Sequence, residues 1–154
     1  MRKEMLLLAV FGFICSLWAA DPTIGTWKLN PNKTKVAGLA DAISESSTVK
    51  IEAQENGIKL RWNALKADGK AVHGEFAAKY DGRDYPVKGD PGSDMVSLRR
   101  IDANTVDYIY KKGGKEVLSE RAVVSKDGKT VTLTVKGRDA KGNAYEALVF
   151  YDKQ

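Results

Sequence analysis

From Ile24 onward the chain alternates apolar and polar residues one by one. That period of two is the spacing of side chains on a strand with one wet face and one packed face. Trp27 and Leu29 share one face, with Thr26, Lys28 and Asn30 on the other. Val49, Ile51 and Ala53 alternate with Lys50 and Glu52. Ile58, Leu60, Trp62 and Ala64 alternate with Lys59, Arg61 and Asn63. Val72, Gly74, Phe76, Ala78 and Tyr80 alternate with His73, Glu75 and Lys79. Val131, Leu133 and Val135 alternate with Thr132, Thr134 and Lys136.

The breaks between these runs carry hairpin chemistry. Asp68-Gly69, Asp81-Gly82 and Asp127-Gly128 supply the positive φ that two-residue loops require. Asn56-Gly57, Lys112-Gly113-Gly114 and Lys141-Gly142-Asn143 do similar work. Pro86 makes residues 85–87 a short or irregular strand. Strands joined this way run antiparallel to their neighbours, and about ten at this short spacing predict an all-β up-and-down barrel. A meander of that length leaves two exposed edges unless it closes on itself. Residues 31–47 depart from alternation. Val36, Leu39, Ala40 and Ile43 fall at helical spacing, so one short helix is expected after the first strand.

Residues 1–20 have the order of a secretory signal peptide. Arg2 and Lys3 precede an apolar run over 6–18, and Ala19-Ala20 stand before Asp21-Pro22. The run is shorter than the roughly 20 residues of a membrane span. Cleavage is expected after Ala19 or Ala20, which leaves one barrel domain over 21–154 in a secreted or periplasmic setting. The single cysteine, Cys15, falls within the leader. The domain therefore has no disulfide, no thiolate nucleophile and no cysteine ligand. The net charge of +5 is interleaved with acidic residues along the strands, which describes a solvated surface rather than a nucleic-acid face.

The opening Ile24-Gly25-Thr26-Trp27-Lys28-Leu29 resembles the first strand of the calycin barrels, the superfamily of lipocalins and fatty-acid-binding proteins. There a Gly-x-Trp opens the barrel and the tryptophan plugs its closed end. The resemblance gives Gly25 and Trp27 that structural role. Val149-Phe150-Tyr151-Asp152-Lys153 resembles the last strand of the fatty-acid-binding branch. That branch holds a ligand carboxylate with an Arg-x-Tyr pair, and the position of its arginine is Val149 here. Lipocalins pack a C-terminal arginine against the tryptophan, and the nearest basic residue here is Lys153. A shared barrel does not by itself carry a shared function.

The remaining chemistry is sparse. His73, the only histidine, sits on a polar strand face, and no second histidine or cysteine completes a metal site. No nucleophile elbow, phosphate-binding loop or dinucleotide fingerprint is present. Asp81, Asp84, Asp90 and Asp94 lack the spacing of a calcium loop. Neither a cofactor nor a metal is expected. The candidate cavity-lining residues are aromatic or cationic: Trp62, Phe76, Tyr80, Tyr108 and Tyr151, with Arg99 and Arg121 as inward anchors for an anion. Alternation sends one of the adjacent Arg99 and Arg100 inward. The leading expectation is a non-catalytic barrel that binds a small apolar or amphipathic ligand. The competing one is a protein-interaction barrel with a packed interior. An enzyme assembled from Tyr108, Arg121 and an aspartate at the barrel mouth is the weakest.

Overall fold

A computed structural model describes residues 20–37, 44–138 and 141–154. The leader lies outside the described residues except for Ala20. Among the described residues eleven strands follow one another: β1 (Gly25–Leu29), β2 (Lys35–Ala37), β3 (Ser44–Gln54), β4 (Gly57–Lys66), β5 (Ala71–Lys79), β6 (Asp81–Pro86), β7 (Met95–Asp102), β8 (Thr105–Lys112), β9 (Lys115–Val124), β10 (Thr130–Arg138) and β11 (Ala144–Lys153). All belong to one antiparallel sheet, ordered β5-β4-β3-β1-β11-β10-β9-β8-β7-β6. This is a nearly closed antiparallel barrel of ten strand positions.

β1 and β2 share one position. Residues 151–153 of β11 pair with β1, and residues 146–148 pair with β2. Between them the chain turns at 31–33, where Thr34 Oγ1 donates to the Asn30 carbonyl at 2.9 Å. The helix expected over 31–47 is therefore absent from the described part of that stretch, which forms turn and strand. Leu39, Ala40 and Ile43, on which it rested, lie outside the described residues.

Most hairpins follow their turn residues. At Gly113-Gly114 both residues have positive φ, the signature of a two-residue loop joining β8 to β9. Asp81-Gly82 behaves differently. It does not join paired strands, because β5 and β6 stand at the two ends of the strand order. Gly82, at φ +74°, sits where the β6–β7 register shifts between Asp81 and Asp84. The pair makes a bulge that turns the edge strand, a use of Asp-Gly that local sequence does not separate from a hairpin. Among the described residues the two edges meet at a single bridge. Glu75 and Lys88 exchange both backbone N–H···O=C bonds at 2.9 Å.

One face of every long strand points into the barrel. Trp27, Ile58, Leu60, Phe76, Val96, Leu98, Val106 and Tyr108 form the larger core cluster. Leu29, Val135, Ala147 and Val149 form a second one nearby. Val149 is thus a packed core residue.

Candidate functional site

The closed end of the barrel is built around Trp27, 2% exposed. Its indole N–H donates to the Thr23 carbonyl at 2.8 Å, so the buried ring leaves no orphan donor. Lys153 lies over the ring, Nζ 5.1 Å from its centroid, and takes the place of a stacking arginine as a cation–π contact. Gly25 makes room for it. A Cβ on Gly25 would stand 2.7 Å from Lys153 Cε, and its φ of +140° disfavours any side chain. The Gly-x-Trp pairing thus has a local physical cause in this chain.

Asp21 ties the N-terminal segment across this end. Its carboxylate accepts from the Thr23 amide and hydroxyl, from Tyr80 Oη at 2.9 Å, and from Arg100 in an ion pair. The Arg100 guanidinium also lies 4.2 Å from the Tyr80 ring centroid. Of the adjacent arginines, Arg100 is the one on the inward face, with Val96 and Leu98, and it is consumed by this clamp.

Beyond the plug the interior is open. A cavity of about 830 Å³ runs from Thr23 and Trp27 to the opposite strand ends, where Lys66 and Arg138 border it. Its wall includes Val49, Ile51, Leu60 and Trp62 on one side. Tyr108, Tyr110, Leu133 and Tyr151 line the other. Trp62 lies flat against β5 because its cross-strand partner is Gly74. A Cβ there would fall 2.2 Å from the indole.

The candidate residues divide accordingly. Trp62, Tyr108 and Tyr151 line the cavity. Phe76 does not. It is buried behind the wall, with ring centroids 6.3–6.5 Å from those of Trp62, Tyr108 and Tyr110. Tyr80 belongs to the closed-end clamp. Arg99 and Arg121 are not interior anchors. Both are exposed, and Arg121 forms a two-pronged pair with Asp107 at 2.7 and 2.8 Å on the outer face. Their parity is set by Val96, Leu98, Ala122 and Val124, which claim the inside. His73 is exposed on the outer face of β5. Among the described residues, no group of three or more metal-ligating side chains comes together.

The sequence reading missed Glu120. It lies on the inward series Leu118, Glu120, Ala122, Val124 of β9 and forms part of the cavity wall. The surface it retains faces the cavity. No hydrogen bond or ion pair holds its carboxyl among the described residues. Burial alone pushes it up from 4.5 to about 7, because the charged form loses water and gains no partner. The signal was available: an acidic residue at a position whose neighbours of the same parity are apolar. Tyr108 and Tyr110 are also pushed up by burial, and the nearby Glu120 charge adds to both.

No protein-family model matches the chain, and no curated protein matches its sequence. Solved structures do match. The zebrafish ileal bile acid-binding protein complexed with cholic acid aligns with a TM-score of 0.52 at 11% identity, over 86% of this chain and 99% of that one. The S-type phycobiliprotein lyase CPES from Guillardia theta aligns with a TM-score of 0.54 at 11% identity, over 86% and 89%. The chain has the calycin barrel fold. Trp27 lies at one end of the cavity, and Lys66 and Arg138 border the other.

Proposed function

We propose that this calycin barrel is a secreted or periplasmic carrier that binds a small apolar or amphipathic molecule in its interior and catalyses nothing. The observation that carries the reading is the cavity. About 830 Å³ lies within the range of roughly 300–1,000 Å³ typical of small-molecule sites, and its wall is mostly apolar and aromatic. A barrel that worked only through its rim would have no need of that space, so the cavity favours a carrier over a packed interaction module. One structural neighbour is itself described in complex with cholic acid, an amphipathic molecule, which is consistent with such a use of the fold. The leader-like order of residues 1–20 supports export.

Native mass spectrometry of the protein purified from its own cells, followed by solvent extraction, tests the reading. A co-purifying small molecule near one per chain is expected, with a mature N-terminus at Ala20 or Asp21. A clean apo mass, together with no fluorescence response from an apolar environment-sensitive probe, would sink the carrier reading.

A further inference from the structure

Among the described residues two acidic side chains line the cavity, Asp90 and Glu120, and Asp90 is already engaged by the Gly92 amide and the Ser93 hydroxyl. Glu120 stands opposite Tyr108 on β8 and Val135 on β10. The β11 residues of the same parity that line the cavity are Tyr145 and Tyr151. Four phenols therefore surround one carboxyl: Tyr108, Tyr110, Tyr145 and Tyr151. The Glu120 charge makes each of them harder to ionise, which places all four within its electrostatic reach. Among the described residues, no cation reaches Glu120 in return. Lys66, Arg138 and Lys141 line the cavity toward its mouth, and Arg100 is held by Asp21 at the plug. The chain thus offers a half-buried carboxylate that lines the cavity beside tyrosines and has no internal partner among the described residues.

Such a group is unfavourable in an apolar cavity unless something satisfies it. On the last strand the inward position two before Tyr151 is Val149, which is packed in the core and offers an anionic head nothing to bind. We infer that the cavity selects an amphiphile bearing an amine, its ammonium held by the Glu120 carboxylate among the tyrosine hydroxyls and its apolar body lying against Trp62 and Leu60. The inference rests on the carrier reading and names the ligand class of that same cavity. A carboxylate-headed amphiphile meets repulsion at the same point. An alcohol meets neither the repulsion nor the charge pairing.

A matched series of dodecylamine, dodecanol and dodecanoate separates these cases. Each displaces Nile red from the full mature protein at pH 7.5, below its micellar concentration. Dodecylamine is expected to bind at least tenfold more tightly than dodecanoate. Glu120→Gln is expected to weaken dodecylamine at least tenfold more than it weakens dodecanol. Glu116→Gln, an exposed change on the same strand, leaves the amine affinity as it was. Near-ultraviolet circular dichroism checks that the glutamine variant keeps its packed interior. If dodecanoate or dodecanol binds the parent as tightly as the amine does, amine selection is wrong and the carrier reading stands. Equal losses for amine and alcohol in Glu120→Gln likewise overturn amine selection alone. If neither Nile red nor any of the three binds the parent, both readings fall.

Discussion

Replacing Glu120 by glutamine should make the ligand-free protein more stable, and only at higher pH. The carboxyl stands at about 7 in the folded chain against an ordinary 4.5. A folded-state value above the unfolded one means that the folded chain keeps the proton longer. Stability therefore falls as pH rises from 4.5 through 7, and the whole loss is in force above that range. The full difference corresponds to about 3 kcal/mol at pH 8.5. Water in the cavity solvates part of the charge, so a measured effect of about 1–3 kcal/mol is expected. The tyrosines facing Glu120 from β8 and β11 are all raised above their ordinary value and stay protonated across this window. Val135 is the residue opposite on β10, and the Asp21–Arg100 pair lies at the plug. Glutamine keeps the shape and removes the titration. Urea unfolding followed by tryptophan fluorescence, at pH 4.5, 6, 7 and 8.5, measures both proteins. The advantage of Glu120→Gln should grow with pH and vanish at 4.5. A difference that stays flat across the series refutes the account of a half-buried carboxyl without a partner.

Two further substitutions probe the wall and the plug. Gly74→Val places a side chain where the Trp62 indole lies, so it should destabilise by about 1–3 kcal/mol and shift the tryptophan emission as Trp62 swings off β5. Unchanged emission and stability would mean that the ring does not rest on that glycine. Asp21→Ala leaves Arg100 and the Tyr80 hydroxyl without their shared acceptor, and a loss of about 1–3 kcal/mol is expected in the same unfolding assay. The folded-state carboxylate also holds the N-terminal segment, so limited proteolysis of the variant should begin nearer its N-terminus. An unaltered cleavage pattern counts against the clamp.

Much of the barrel could be read from alternation, because one buried face per strand imposes it residue by residue. Alternation puts Trp62 on an inward face for that reason, whereas Tyr108 and Tyr151 are legible only as aromatics on strands. Phe76 and Tyr80 share the inward parity of β5, yet parity does not say which part of an interior is filled and which is hollow. That depends on what stands across the barrel: Phe76 meets three aromatic rings, and Tyr80 meets Asp21 and Arg100. Arg99 and Arg121 have the charge of an anion anchor but not the register of one. Their apolar neighbours settle the question and send both outward. Glu120 was overlooked for the converse reason, since an acidic residue in a strand is ordinarily taken to face water. Asp81-Gly82 shows a different limit. The same dipeptide serves a hairpin or a bulge, and only the long-range pairing of β6 with β7 decides between them.

The lone bridge between Glu75 and Lys88 gives the wall an uneven strength. Elsewhere neighbouring strands are zipped by ladders; here two backbone bonds fasten the first edge to the last. The barrel is a rolled ribbon with one stitched seam. Local opening is favoured where the fewest bonds must part. The amides of Glu75 and Lys88 should therefore exchange with solvent sooner than those of β10, which is paired on both sides. Parting that seam breaks two backbone bonds and leaves every ladder whole, so the wall is expected to open there first.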